Sequence, residues 1–271
     1  MSAPYYFIQG QGPLLISMPH VGIEIPAELL ATMNPVAALK ADTDWHLPLL
    51  YSMREALGAS LIHARYSRYV IDLNRPSDDM NLYPGQDTTG LCPVDTFAKE
   101  ALYRPGQAPD ANEIQRRVQV YWQTYHQQLQ AELHRIRDQY GIAILWDAHS
   151  IASQVPRFFE GRLPDLNFGT VDQKSCASGL QAALAEVMEQ HGAPFTHVFN
   201  GRFKGGHITR HYGQPEKNIH AVQLEMSQCA YMDETHPYAY RPDLAAQVQP
   251  LLHRLLHACV AWASEQSKLR S

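Results

Sequence analysis

Two rhythms of apolar and polar positions alternate along this chain. Short, largely apolar runs cover 14–18, 60–64, 142–146 and 221–226 and read as strands, and the continuous one at 142–146 reads as a strand buried on both faces. Two further strands are expected over 68–73, which is rich in β-branched and aromatic residues, and over 195–199. Between the runs the period lengthens towards a helical one. Ile114, Val118, Tyr121, Tyr125, Leu129, Leu133, Ile136 and Tyr140 keep that spacing without a break, which predicts one helix over 111–140. Asp110 with Glu113 gives it a capping box, and Gly141 stops it. Leu47, Leu50, Met53 and Leu57 predict a helix over 45–57. Others are expected over 176–190 and 243–265, with Pro250 in the first turn of the last or kinking it. Strand and helix in alternation argue an α/β fold of three layers, α/β/α, in a single domain covering 1–271.

Residues 74–109 keep neither rhythm. Their prolines and glycines mark a long loop, while Leu82, Tyr83, Leu91, Phe97, Leu102 and Tyr103 give it the apolar content of an ordered lid. Composition narrows the function classes. The net charge of -5 offers no overall attraction to nucleic acid or anionic lipid, so an anionic partner must be drawn by local arginines. No apolar window is long enough for a transmembrane helix, and the first residues lack the basic and apolar parts of a signal peptide. The four cysteines form no CxxC pair and suit a reducing compartment, so a cytoplasmic location is expected. The 14 histidines make a metal site worth seeking.

Polar residues gather just after the apolar runs, where open α/β sheets place their chemistry. His20 and Glu24 follow the first run, Asp44 lies in DTDW, His149 in DAHS and Glu225 in QLE. Two histidines and one carboxylate would supply a catalytic zinc, leaving a fourth position open. Each also has a plainer role. A histidine after a strand serves equally as a hydrogen-bonded packing residue, and Asp44 equally as the N-cap of a helix starting at Trp45. Glu225 sits within an apolar run, so its carboxylate needs a partner or a task. Arg68, Asn74 and Arg75 bracket the 68–73 run, and guanidinium groups fit carboxylates in a bidentate fork. Surface ion pairing is the alternative for them. Arg202, Lys204 and Arg210 lie in a glycine-rich loop that is otherwise a solvated basic loop.

Six stretches, ISMPHVGIEIP, DTDWHLPLLY, SRYVIDLNRP, LWDAHSI, GGHITRHYGQP and HAVQLEMSQCAYMDE, run in order through residues 16–234. As a set they resemble the N-formylglutamate amidohydrolase family. The resemblance implies a central mixed sheet like that of zinc carboxypeptidases and aspartoacylase-type deacylases. It also implies one zinc ion or another divalent transition metal, and hydrolysis of N-formyl-L-glutamate to formate and L-glutamate in histidine breakdown. By motif it makes His20 and His149 metal ligands, Glu225 the general acid/base, and Arg68 the group that polarises the scissile carbonyl. Asn74 and Arg75 become a clamp for a substrate carboxylate, and Arg210 is expected to hold the second, with Arg202 and Lys204 as alternatives. The peptidase-like relatives place a glutamate three residues after the first histidine, where this chain has Ile23. Asp44 is therefore the expected third ligand, with Glu24 as the alternative. The partner is then a small acidic metabolite, with no nucleic acid or membrane. Deacylation of an acetyl- or succinyl-amino acid, or non-catalytic binding of an acidic metabolite, are the other readings.

Overall fold

A computed structural model describes residues 3–82 and 85–269; Tyr83 of the expected lid lies outside the described residues. Seven strands form one sheet: β1 (Tyr5–Ile8), β2 (Leu14–Met18), β3 (Ser60–Ala64), β4 (Ala143–Ile151), β5 (Leu166–Gly169), β6 (His197–Phe199) and β7 (Ile219–Ser227). Their order is β1-β3-β2-β4-β7-β5-β6. The sheet is mixed, as expected. β3, β2, β4 and β7 run parallel, while β1 and β5 pair antiparallel to their inner neighbours. The helices are α1 (Ala27–Leu30), α2 (Leu47–Leu50), α3 (Ala111–Arg117), α4 (Gln123–Tyr140), α5 (Ser178–His191), α6 (His207–Tyr212) and α7 (Pro242–Lys268). Among the described residues no helix is long and apolar enough to cross a membrane.

The central strands are buried along their whole length, which is why apolar residues dominate both of their faces. Alternate residues go to opposite faces. Ile16, Trp146 and Leu224 pack with α5 and α7 residues such as Leu180 and Leu252. Leu15, Leu145 and Ala221 pack with Leu129 and Leu133 of α4 and Ile208 of α6. Two apolar layers on one sheet give the three-layer architecture.

Several elements depart from expectation. The 111–140 helix contains a π turn over Val118–Trp122 between α3 and α4. The 45–57 helix is reduced to α2 and a 3₁₀ turn at Ser52–Glu55, with Pro48 in the first turn of α2. α7 continues past Pro250, which lies inside it rather than in its first turn. No strand forms over 68–73. The carbonyls of this stretch and its continuation go to helix side chains instead. Arg117 Nη1 donates to Val70 O at 3.0 Å and Trp122 Nε1 to Arg75 O at 2.8 Å, while His126 Nε2 lies 2.9 Å from Leu73 O. With its backbone satisfied outside the sheet, the stretch is free to aim Arg68, Asp72, Asn74 and Arg75 along one wall of a cavity.

Candidate metal centre and its cavity

β4 runs five residues past its apolar run and so takes in Asp147 and His149, while Glu225 lies within β7 as its run suggests. Strict alternation puts Asp147 and His149 on the α4 and α6 face of the sheet, beside Gln223 and Glu225. His149 is the register partner of Glu225, and Asp147 that of Gln223. His20 follows the neighbouring strand β2 by two residues. The chain after it is pressed onto the segment following β3, where a Cβ on Gly22 would lie 2.1 Å from Tyr66 O. The polar residues thus converge at the carboxyl ends of three adjacent parallel strands.

His20, Asp44 and His149 are all buried and bring their ligand atoms within 4.8 Å of one another. The two Nδ1 atoms are 3.1 Å apart, Asp44 Oδ2 is 3.1 Å from His149 Nδ1, and it is 3.7 Å from His20 Nδ1. Donors at about 2.0–2.1 Å from a tetrahedral ion stand roughly 3.3 Å apart, so this triangle fits one. Each ring's far nitrogen meets a buried carboxylate. Asp72 Oδ1 lies 2.7 Å from His20 Nε2, and Asp147 Oδ2 lies 3.2 Å from His149 Nε2. Such partners hold the proton on Nε2 and leave the Nδ1 lone pair for a cation. Asn74 Nδ2 donates to the same Asp147 Oδ2 at 3.5 Å and lies 2.9 Å from His149 Nε2. Asp44 does not cap a helix; the N-cap of α2 is His46, and Asp44 Oδ2 accepts instead from Ser150 N at 3.2 Å.

The charges are consistent with a cation-seeking site. Burial, with Arg68 next, draws the His20 ring below its ordinary value. Burial opposes a proton on His149 too, but Asp147 and Asp44 outweigh it and hold that ring well above its ordinary value. The same two carboxylates favour a divalent cation in place of that proton. Burial would neutralise Asp72, yet His20 and Arg68 keep it well below the usual carboxylate range. Burial pushes the Glu225 carboxyl up to about 8, with His149 opposing and Asp44 adding to the rise.

The cavity beside this cluster is about 120 Å³ and is lined by His20, Asp44, His149 and Glu225, by Arg68, Arg75 and Arg202, and by Phe97 and Phe158 of two covering loops. Arg68 Nη2 donates to Asp72 Oδ2 at 2.6 Å, and its guanidinium lies 4.9 Å from the Phe97 ring centre. Its Nε is buried with no hydrogen-bond partner among the described residues, a donor that a ligand oxygen would satisfy. Arg75 lies 4.0 Å from Asp72 Oδ2 and 3.5 Å from Thr89 Oγ1. Asn74 Oδ1 accepts from Ile208 N at 2.8 Å, and its amide abuts Gly206, where a Cβ would come within 2.4 Å of Nδ2. Two expected residues stand apart. Glu24 is half exposed and pairs with Arg65 at 3.8 Å. Arg210 turns its Nε to Gly205 O at 2.8 Å and is not among the residues lining the cavity. Asp72, Asp147 and Gln223 carry no recognisable signal in sequence beyond being polar in apolar surroundings. Phe97 and Phe158 come from distant loops that no local pattern joins.

Residues 12–232 match the model of the N-formylglutamate amidohydrolase family. An N-formylglutamate deformylase of Pseudomonas putida is 50% identical over 264 residues, covering 96% of this chain and 97% of that protein. One of Pseudomonas aeruginosa is 51% identical over 260 residues, with coverage of 96% and 97%. In fold, the chain is similar to the crystal structure of N-formylglutamate amidohydrolase from Ralstonia eutropha, with a TM-score of 0.81 at 22% identity and all of both chains covered. A gene product of Agrobacterium tumefaciens has the same fold, with a TM-score of 0.72 at 19% identity over 96% of each chain.

Proposed function

The chain belongs to the N-formylglutamate amidohydrolase family, and on that premise we propose that it hydrolyses N-formyl-L-glutamate to formate and L-glutamate. The observation that carries this reading is the half-identity to deformylases over nearly the whole chain. The convergence of His20, Asp44 and His149 beside Glu225 supports metal-assisted hydrolysis as the chemistry. These three side chains would hold the ion, and mixed imidazole and carboxylate donors support zinc. When bound, such a metal supplies Lewis-acid activation of water and of the carbonyl oxygen.

The chain's own residues do the rest. Glu225 takes a proton from the water that attacks the formyl carbon, then returns it to the amide nitrogen as the C–N bond breaks. Arg68, held by Asp72, directs its unpaired Nε–H to the carbonyl oxygen and follows it as negative charge develops there. Arg75 holds a substrate carboxylate, and Asn74 contributes the amide hydrogen not directed at Asp147. The covering loops exclude water from a small acyl group, with the 74–109 segment as the lid. We read the chain as one domain, since its described strands form a single sheet with helices packed on both faces. Its four free cysteines support a cytoplasmic location.

Turnover of N-formyl-, N-acetyl- and N-succinyl-L-glutamate by the purified protein tests the substrate. A clear preference for the formyl compound is expected. Faster release of acetate or succinate would replace it with another deacylase.

A further inference from the structure

Three guanidinium groups line the cavity, those of Arg68, Arg75 and Arg202. N-formylglutamate offers three anionic or incipiently anionic groups to meet: the carbonyl and two carboxylates. Arg68 is fastened to Asp72 and Arg75 adjoins the Asn74 clamp, which leaves the side-chain carboxylate to be matched. We infer that Arg202 is the specificity-determining residue that binds this second carboxylate, an inference that rests on the deformylase reading above.

Four observations carry it. Arg202 lies on the cavity wall, whereas Arg210 does not. Lys204, two residues on, points to Asp172 at 3.1 Å. The Arg202 guanidinium is held in place: its Nε donates to Phe158 O at 2.7 Å and its centre lies 5.3 Å from the Phe203 ring. A fork fixed in this way loses little freedom when it takes a carboxylate. Finally, the loop that brings it is keyed to the first clamp. Gly206 N donates to Gln223 Oε1 at 2.7 Å, and the same glycine abuts Asn74 with no space for a side chain. The two carboxylate-binding arginines are therefore set at a fixed span, which selects substrate length as well as charge.

The test compares N-formyl-L-glutamate with N-formyl-L-glutamine, which has the same shape and one carboxylate fewer. Wild type, R202Q and R202K are assayed for kcat/KM on both, and for inhibition by L-glutamate against L-glutamine should formylglutamine turn over too slowly. R202Q is expected to lower the glutamate-to-glutamine preference roughly ten- to hundredfold, through the loss of a charge-assisted hydrogen bond, while R202K retains part of it. An equal loss on both compounds would mark Arg202 as merely structural and overturn the inference. So would a preference that shifts in R75Q and stays fixed in R202Q. A wild type that releases formate from neither compound would instead sink the deformylase reading itself.

Discussion

His20 and His149 turn their Nδ1 atoms to within 3.1 Å of each other, and behind each ring a buried carboxylate meets the opposite nitrogen. The carboxylates differ in one respect. Asp72 also binds Arg68 at 2.6 Å, while Asp147 is surrounded by Ser17, Thr209 and Asn74. D147N is therefore expected to weaken zinc affinity about 10- to 100-fold and to leave turnover near normal at saturating zinc. D72N is expected to weaken zinc affinity similarly and also to lower kcat at saturation, because Arg68 loses its anchor. Chelator competition gives the affinities and formate release gives the rates. Identical behaviour of the two variants would contradict the dual role of Asp72.

Glu225 stands beside His149 in register, buried and with its carboxyl pushed up. E225Q preserves shape and removes the proposed base. It should bind zinc normally and lose turnover by about 10²-fold or more. Retained activity with full metal content would put the proton transfer elsewhere.

Phe97 divides the cavity from a neighbouring one of about 200 Å³ that also touches Ser150 and Ile151. The ring stacks on Arg68 at 4.9 Å, so it borders the carbonyl end of the proposed substrate. F97A should join the two spaces and raise the rate on N-acetylglutamate relative to N-formylglutamate by about tenfold. Both rates will fall if Arg68 shifts, so the ratio is the readout. A fixed ratio would show that the acyl group is bounded by another wall.

The loop carrying Arg68 to Arg75 depends on α3 through Arg117, whose Nη1 donates to Val70 O. Glu113 anchors both Arg116 and Arg117, at 2.7 Å each. Arg116 first, with Arg117 behind it and slight burial opposing, holds the Glu113 carboxyl down to about 2, against an ordinary 4.5. A carboxylate lowered on folding stabilises above its unfolded value, and that stability is lost as pH falls through the folded value. E113Q should therefore melt lower than wild type at pH 7, by roughly 1 kcal/mol or less after solvent screening. The gap should close between about pH 4.5 and pH 2. A gap that stays constant through that window would assign the stabilisation to another group.

Much of the fold is legible because burial and periodicity coincide. Trp146 and Leu145 face opposite apolar layers, so β4 reads as an unbroken run, and the stripe from Tyr125 to Ile136 announces α4. The failures have equally definite causes. Val70, Ile71 and Leu73 are buried as a strand's residues would be, but the carbonyls of Val70, Leu73 and Arg75 are taken by Arg117, His126 and Trp122 from more than 40 positions away. Nothing local records such a tertiary claim on the backbone. The π turn that includes Trp122 leaves the apolar stripe intact and so escapes periodicity. At the site, His20 and His149 are visible as polar residues following apolar runs and Glu225 as one within a run, but the histidines have an equally good local explanation in packing, and Asp44 has one as a cap. Only the contact with His149 across 105 positions separates the two roles.

The most direct measurement is formate release from N-formyl-L-glutamate by purified protein, with chelator and then with zinc restored, alongside metal content. Release lost on metal removal and regained at about one zinc per chain is the predicted result, with H20A and H149A neither binding zinc nor recovering. Undiminished release from metal-free protein would contradict a metal centre at His20, Asp44 and His149.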